Sequence, residues 1–219
     1  QLEISWDVIF LVFEGLDGSG KSSLMKALEN ELKGHGIPLH LTREPGGTLL
    51  GEEIRELIVR KKVGFAPTAK TELLLYEAIR AQHVEEVIRP KLKSKTWVLS
   101  DRFSASSLAF QAAGRALSTA DVIWLNEFAT SGLKPHLTFL LDLSIEESRK
   151  RRQRRASAAG EKEDRIESEA DDFHQRVREG FLKQAAQDPS AWLVLDATLS
   201  TDEMLKKAMK EIKGRQWLG

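Results

Sequence analysis

Short apolar runs alternate with longer amphipathic stretches along most of the chain. Continuous apolar runs of this length predict strands that are buried on both faces of a sheet. The predicted strands lie at residues 8–13, 38–41, 96–100, 137–142 and 192–195.

The stretches between these runs place apolar residues at helical spacing. The predicted helices lie at residues 21–33, 50–60, 68–92, 120–130, 145–155, 166–187 and 201–213. Strands that alternate with helices need right-handed crossovers, which produce a parallel sheet with helices on both faces. No internal repeat or Pro/Ser-rich linker interrupts the pattern. The sequence therefore predicts a single α/β domain over residues 1–219.

Composition narrows the functional classes. The 219 residues include 33 Lys+Arg and 33 Asp+Glu, and this balance argues against general affinity for nucleic acid or membrane. The absence of cysteine excludes a disulfide framework, a thiolate metal site and a cysteine nucleophile. The longest apolar run is too short to span a bilayer, and no basic-then-apolar signal precedes it. We expect a soluble cytoplasmic protein.

A glycine-rich loop follows the first predicted strand and opens the first predicted helix. Residues 15–22, GLDGSGKS, fit the P-loop pattern G-x-x-x-x-G-K-[ST] in the required strand–helix context. Backbone N–H groups in such a loop form an anion nest, and the helix N-terminus adds its positive dipole end. Lys21 can reach the β- and γ-phosphates, and the Ser22 hydroxyl can bind Mg²⁺. The alternative is a turn that binds nothing. The predicted ATP-binding residues are Gly15, Leu16, Asp17, Gly18, Ser19, Gly20, Lys21, Ser22 and Ser23.

Two further pairs of residues suggest ligand binding. Asp101 ends a buried strand, where a carboxylate suits a hydrated Mg²⁺, and the adjacent Arg102 suits a phosphate. The alternative is an Asp–Arg pair that only caps the next helix. Tyr76 and Arg80 are spaced i, i+4 on one helix face, so they could stack on a base and bond its carbonyl. On spacing alone, the more common arrangement is a core tyrosine and a solvent-exposed arginine.

Four other stretches occur in a fixed order after the P-loop. They are TREPGGT at 42–48, ELLLYEAIRAQH at 72–83, DRFSASSLAFQAAGR at 101–115 and DRIE at 164–167. Together with the P-loop they resemble thymidylate kinases, the enzymes that phosphorylate dTMP from ATP. The resemblance runs from about Phe10 to the end of the chain. It implies a P-loop nucleoside monophosphate kinase-like fold with a five-stranded parallel sheet and a mobile lid.

The resemblance also assigns the acceptor side of the site. It makes Arg43 and Arg102 clamps for the acceptor phosphate, a role that planar bidentate guanidinium groups suit. It places Tyr76 against thymine, where the family commonly has Phe, and Arg80 at a carbonyl of the ring. The remaining implied contacts are Ser106 and Gln111 in the base pocket and Asp17 near the deoxyribose 3′-hydroxyl.

Cofactor, assembly and backbone expectations follow from the same resemblance. The implied cofactor is Mg²⁺, bound with ATP and held by Ser22 and Asp101. A homodimer is expected, formed by helices that pack face to face. Related kinases often have a cis proline after the clamp arginine, so Glu44–Pro45 is a candidate cis peptide.

The most basic segment of the chain is RKRRQRR at residues 149–155. Alone it is typical of a nuclear-localisation or nucleic-acid patch. The acidic residues within 161–172 offset this positive charge, so little electrostatic field remains beyond a Debye length from the segment. The segment also lies where nucleoside monophosphate kinases carry the lid, here at about residues 149–165.

Phosphoryl transfer needs positive charge at the equatorial oxygens of the migrating group. One class of thymidylate kinases supplies it from the P-loop position occupied here by Gly18. The glycine leaves this role to the lid, as in the bacterial-type class. Arg155 is the predicted catalytic arginine, and Arg151 is predicted to cover the adenine; 156–162 looks like extra lid length. The other lid arginines are expected to be solvated: Arg149, Arg152 and Arg154.

Two alternatives remain open at this point. One is a related kinase that acts on another pyrimidine monophosphate such as dUMP. The other is a nucleotide-dependent, nucleic-acid-binding P-loop protein, which would use the basic segment as its binding patch. That second alternative leaves the REPGG stretch and the Tyr76–Arg80 pair unexplained.

Overall fold

The fold is built on a five-stranded parallel sheet with the strand order β2-β3-β1-β4-β5. The computed structural model describes residues 8–61, 64–159 and 164–218, without the side chain of residue 159. The strands are β1 (Phe10–Glu14), β2 (Leu39–Arg43), β3 (Trp97–Asp101), β4 (Leu137–Asp142) and β5 (Trp192–Asp196). All the predicted strands are present, with ends displaced by at most two residues, so the predicted α/β class is confirmed.

Burial differs between the centre and the edges of the sheet. The central strands β1, β3 and β4 are almost wholly buried, as their apolar runs predict. The edge strands β2 and β5 are only partly buried, and Val194 of β5 is 47% exposed. The expectation of burial on both faces is therefore wrong for these two strands, because an edge strand has a neighbour on one side only.

The helices cover both faces of the sheet. They are α1 (Lys21–Gly34), α2 (Leu49–Val59), α3 (Ala69–His83), α4 (Arg89–Lys93), α5 (Ser104–Ser107), α6 (Thr119–Thr130), α7 (Ile145–Ala159), α8 (Asp171–Gln187) and α9 (Thr201–Gly214). Two π-helical segments, Val84–Ile88 and Leu108–Gly114, continue α3 and α5. In the described part of the chain, none of the helices has the length and apolar character of a membrane span.

Two helical predictions need correction, and one helical stretch was missed. The single helix predicted at 68–92 changes pitch in the Val84–Ile88 π segment before α4 begins. The helix predicted to start at Ile166 starts at Asp171, because the Asp164 side chain accepts the backbone N–H groups of Ile166 and Glu167 and holds a turn there. The helical stretch 104–114 was not predicted, since its small Ser, Ala and Gly residues carry little apolar periodicity.

The side chains of β1 alternate between two core layers. Leu11 and Phe13 pack in the layer under α1 and α9. Phe10 and Val12 face the opposite layer, under the Val84–Ile88 segment. This packing fixes β1 at the centre of the sheet, so the loops after β1, β2 and β3 meet at the carboxyl end of the sheet. Ligands of open α/β sheets bind at that end.

Candidate active site

The loop after β1 has the backbone of a phosphate-binding loop. Gly15 has φ +136°, and a Cβ there would lie 2.4 Å from the Leu141 carbonyl oxygen, so only glycine fits. Gly20, with φ +92°, precedes α1, and no described side chain caps this helix N-terminus. The first-turn N–H groups of α1 are therefore available to an anion.

Lys21 is held against this loop. Its Nζ donates to the carbonyl oxygens of Gly15 at 3.2 Å and Leu16 at 3.1 Å, and lies 3.9 Å from the Asp17 carboxylate. Burial, together with the nearby Arg102 charge, lowers the pKa of the Lys21 ammonium. The side chain thus places a positive group in the loop where a triphosphate would lie.

A cavity of about 430 Å³ joins the P-loop to α3, the strand ends and the lid. The predicted site residues that line it are Asp17, Gly18, Gly20, Lys21, Ser22, Ser23, Arg43, Tyr76, Arg80, Asp101, Arg102, Ser106, Gln111 and Arg155. Those that lie outside its lining are Gly15, Leu16, Ser19 and Arg151. The structure therefore brings the predicted donor-side and acceptor-side residues to one space.

Arg102 links the P-loop to the end of β3. Its Nη2 donates to Asp17 Oδ1 at 2.9 Å, its Nη1 lies 3.5 Å from Glu14 Oε2, and its guanidinium lies 5.0 Å from the Phe110 ring centroid. Its backbone is left-handed, with φ +73°, which is a strained conformation for a non-glycine residue. Burial raises the pKa of Asp17, but Arg102 and Lys21 outweigh it and hold that pKa well below its usual range.

Glu14 is a site residue that the sequence analysis missed. Its buried carboxylate accepts the backbone N–H of Phe103 at 3.0 Å and the hydroxyl of Ser106 at 2.7 Å. Burial raises the pKa of Glu14 to about 7, although Arg102 opposes the shift. The sequence could have indicated Glu14, because it ends the apolar strand FLVFE. A buried charge at such a position is unfavourable unless it has hydrogen-bonding or charged partners.

Asp101 and Ser22 fit the ligand set of a Mg²⁺ ion. Asp101 Oδ1 is buried and accepts no hydrogen bond from the described residues, so an oxygen is left for a ligand in the cavity. Ser22 lines the same cavity. Elsewhere in the described ranges, no group of three or more His, Cys, Asp or Glu residues could hold a metal. Mg²⁺ bound with nucleotide phosphates needs only one or two protein ligands.

Arg43 lies at the cavity wall in an ion pair with Glu52. Its Nη2 donates to the two carboxylate oxygens at 2.9 and 2.8 Å, and its side chain is 48% exposed. Glu52 also accepts the backbone N–H of Gly47 at 3.0 Å.

Arg55, which the sequence analysis did not single out, donates to the Pro45 carbonyl at 3.0 Å and lines the cavity. The Glu44–Pro45 bond is cis, so that prediction is confirmed.

Arg80 is fully enclosed, with 1% of its surface exposed. Its guanidinium donates to Glu44 (2.9 Å), Glu77 (2.6 Å), Ser107 (2.8 Å), Asn126 (2.8 Å) and the Phe103 carbonyl (3.1 Å). The alternative of a solvent-exposed arginine is therefore wrong. Tyr76, one turn earlier on α3, is half-buried and lines the cavity with it.

The lid arginines have separate surroundings. Arg151 donates to Glu147 at 3.1 Å and to the Gly18 carbonyl at 3.4 Å, so it lies against the P-loop. Arg155 pairs with Glu167 and lines the cavity. Arg152 is buried and donates to the Glu167 carbonyl, so the expectation that it is solvated is wrong.

The rest of the basic segment gives little support to a nucleic-acid patch. Arg149 and Lys150 pair with Asp171 and Glu146, so their charges are balanced locally. Arg149 and Arg154 are exposed, as expected. α7 continues to Ala159, while residues 160–162 of the predicted extra lid length lie outside the described part of the chain.

Comparison with known proteins agrees with this geometry. The family described as Thymidylate kinase matches residues 13–208. A thymidylate kinase of Bdellovibrio bacteriovorus is 61% identical over 95% of this chain and 97% of its own length, and one of Kosmotoga olearia is 44% identical over 93% and 94%. The crystal structure of thymidylate kinase from Ehrlichia chaffeensis shares the fold with a TM-score of 0.70 at 29% identity, over 93% of this chain and 97% of that one. The chain therefore belongs to the thymidylate kinase family.

Proposed function

We propose that this protein is an enzyme that transfers the γ-phosphoryl group of MgATP to dTMP, giving ADP and dTDP. The observation that carries the proposal is the shared cavity, which the P-loop lines together with Tyr76 and Arg80 of α3. A phosphoryl donor and a nucleotide acceptor can therefore be held together. Holding two reactants in line is the main task of a kinase.

On the donor side, the P-loop N–H groups and the Lys21 ammonium bind the β- and γ-phosphates. Lys21 already lies on the loop, so little reorganisation is needed when the triphosphate enters. Ser22 and Asp101 are the residues that would hold Mg²⁺, which neutralises charge on the β- and γ-oxygens when MgATP is bound.

On the acceptor side, Arg102 and Arg43 clamp the dTMP phosphate. Arg43 exchanges its exposed pair with Glu52 for the phosphate, and Arg102 stays anchored by Asp17, which also lies near the 3′-hydroxyl. Tyr76 stacks on thymine, and Arg80 donates to a ring carbonyl. An oxygen of the dTMP phosphate then forms a bond to the γ-phosphorus, while the bond to the leaving oxygen of ADP breaks.

The lid supplies the remaining positive charge that stabilises the transition state. Arg155 leaves its pair with Glu167 to neutralise the equatorial oxygens, and Arg151, next to Gly18, covers the adenine. The proposed lid covers about residues 149–165, of which 160–163 lie outside the described residues; it opens for substrate and closes to exclude water. This lid belongs to a single domain over residues 1–219.

We also propose that the protein works as a homodimer. An exposed apolar patch on α3 and α6 consists of Leu74, Ile123, Trp124 and Phe128, and Phe128 is 74% exposed. The rings of Trp124 and Phe128 stack with centroids 5.9 Å apart. Exposed apolar patches of this kind are typical of protein–protein contacts. In sedimentation, the wild type should be dimeric and Phe128→Glu monomeric; a monomeric wild type at micromolar concentration contradicts the proposal.

A cytoplasmic location belongs to the same proposal, because both proposed substrates are nucleotides of the cell interior. Cell fractionation with an antibody to the native protein tests it. Recovery of the protein in a membrane or secreted fraction would contradict it.

A coupled ADP-release assay with MgATP and a panel of nucleoside monophosphates tests the activity. We expect dTMP to give the highest kcat/KM, with dUMP, dCMP, dGMP and AMP well below it. Lys21→Ala is the matched control for contaminating kinases. A higher kcat/KM for another monophosphate, or no ADP release above the control, would overturn the proposal.

A further inference from the structure

The amide of Gln111 has a fixed partner behind the cavity wall. Gln111 belongs to the Leu108–Gly114 π-helical segment, is 2% exposed and lines the cavity. Its Nε2 donates to Glu72 Oε1 at 2.9 Å. π-helical turns within helices often occur at functional sites. Glu72, at 1% exposure, does not line the cavity and touches it only through this amide.

Glu72 is held as a carboxylate by two arginines. Arg115 donates to it through Nε at 3.2 Å and Nη2 at 3.1 Å, and Arg165 through Nη2 at 2.5 Å. Burial alone would raise the pKa of Glu72, but the bonds from Arg115, Gln111 and Arg165 together lower it. At neutral pH the carboxylate therefore accepts hydrogen bonds and donates none.

Because the Glu72 carboxylate can only accept hydrogen bonds, the Gln111 amide can take only one of its two flipped orientations. If the amide turned over, its Oε1 would face a carboxylate oxygen at the distance now bridged by a hydrogen bond, and the two acceptors would repel. The N–H₂ end must therefore face Glu72. Among the described residues, none donates a hydrogen bond to Gln111 Oε1, so this oxygen is free to accept one from a molecule in the cavity.

We propose that Glu72 is a positioning residue for base selection: it fixes the Gln111 amide so that an acceptor faces ring position 3 of the base. Thymine has an N–H there and donates to Gln111 Oε1, whereas cytosine has a lone pair that meets a second acceptor. The inference rests on the proposed function and deepens it, since it names the feature that separates dTMP from cytosine nucleotides. A site built to receive an N–H strongly rejects an analogue that lacks it.

The matched substrate pair is dTMP and 5-methyl-dCMP, which differ only at ring positions 3 and 4. The measured quantities are the kcat/KM for dTMP divided by the kcat/KM for 5-methyl-dCMP, and the KM for ATP. Glu72→Gln gives the amide a partner that can donate or accept, so Gln111 can turn over. We expect the ratio to fall about ten- to hundredfold, as for the loss of one buried hydrogen bond, with the KM for ATP unchanged.

A double-mutant cycle separates this role from general loosening of the structure. Gln111→Leu should lower the ratio by a similar factor, and Glu72→Gln should have no further effect on the ratio in that background. Arg80 is unchanged in all four proteins, so the discrimination that it contributes is a constant remainder of the ratio. A Glu72→Gln effect on the ratio that persists without Gln111 would overturn the proposal.

Glu169→Gln is the matched control. Glu169 pairs with Arg115 at 2.7 Å in the same cluster of charges but does not bond Gln111, so its loss should leave the ratio unchanged. Arg165 also contacts the Ile58 carbonyl at 2.8 Å, and an effect transmitted through that contact would change kcat for both acceptors equally.

Glu72→Asp covers the case in which Glu72→Gln does not fold. It keeps the charge but withdraws the carboxylate from Gln111, and the ratio should again fall at least severalfold. A folded Glu72→Gln or Glu72→Asp protein with the wild-type ratio refutes the role of Glu72 and leaves the proposed function intact. A wild type that does not phosphorylate dTMP overturns the proposed function and this inference with it.

Discussion

Replacing Arg80 by alanine should both destabilise the fold and weaken acceptor binding. The guanidinium is 1% exposed and lies between the buried carboxylates of Glu44 and Glu77, at 2.9 and 2.6 Å. Removing one member of a buried ion pair costs roughly 3–5 kcal/mol, because the other charge is left buried without a partner. In a domain of this size, 1 kcal/mol shifts the Tm by about 2–4 °C. We therefore expect Arg80→Ala to lower the Tm by about 6–20 °C in differential scanning calorimetry.

The kinetic effect should be confined to one substrate. Assayed well below the Tm of the variant, Arg80→Ala should raise the KM for dTMP far more than the KM for ATP, because Arg80 lies on the acceptor side of the cavity. Equal effects on the two KM values would mean that α3 carries no acceptor site.

Arg43→Ala is the matched control for stability. Arg43 makes an equally well-formed pair, with Glu52, but its side chain is 48% exposed, and exposed pairs contribute about 0–1 kcal/mol. Its Tm should change by no more than about 4 °C. The reasoning from burial is refuted if Arg80→Ala lowers the Tm no more than Arg43→Ala does.

Three further predictions concern the P-loop, the lid and Glu14 at the end of β1. Lys21→Ala should abolish transfer but keep the fold, as seen by circular dichroism; turnover like that of the wild type would remove the P-loop from the mechanism. Arg155→Ala should lower kcat steeply with ATP binding nearly unchanged, whereas Arg151→Ala should mainly weaken ATP binding in titration calorimetry. The lid assignment fails if the double variant keeps kcat within a few-fold of wild type. Burial raises the pKa of Glu14 from 4.5 to about 7. Between these two pH values the folded protein holds a proton on Glu14 that the unfolded chain has lost. The free energy of unfolding therefore falls by about 3 kcal/mol as the pH rises from about 4.5 to 7. Glu14→Gln should remove that slope from urea unfolding curves at pH 5 and pH 8, and an unchanged slope would mean that another group causes it.

Local signals in the sequence were sufficient for the sheet and for the glycine-rich loop after β1. The apolar run of β1, the glycines after it and the lysine that opens α1 are contiguous, so their geometry depends on few distant residues. The structure places Lys21 and Ser22, which open α1, and Asp101, which ends β3, around one cavity. The edges of the sheet were less predictable, because strand order is set by tertiary packing.

Residues that act through distant partners could not be predicted from local patterns. Glu14, Glu72 and Arg152 are buried, and their partners lie elsewhere in the chain, at Ser106 and Gln111 for the two carboxylates. A charged residue in a sequence is expected to be exposed unless it is paired, and pairing across the fold is invisible without contacts. The π-helical segment that carries Gln111 was missed for a related reason, since small residues give it no helical periodicity.

The most direct test of the proposed function is the fate of the γ-phosphoryl group. The purified protein is incubated with Mg²⁺, ATP labelled at the γ-phosphate and dTMP, and the nucleotides are separated by chromatography. We expect the label to move to dTDP in proportion to the ADP formed, and Lys21→Ala to transfer none. Label that appears only as inorganic phosphate, or that remains in ATP, would contradict the proposed function.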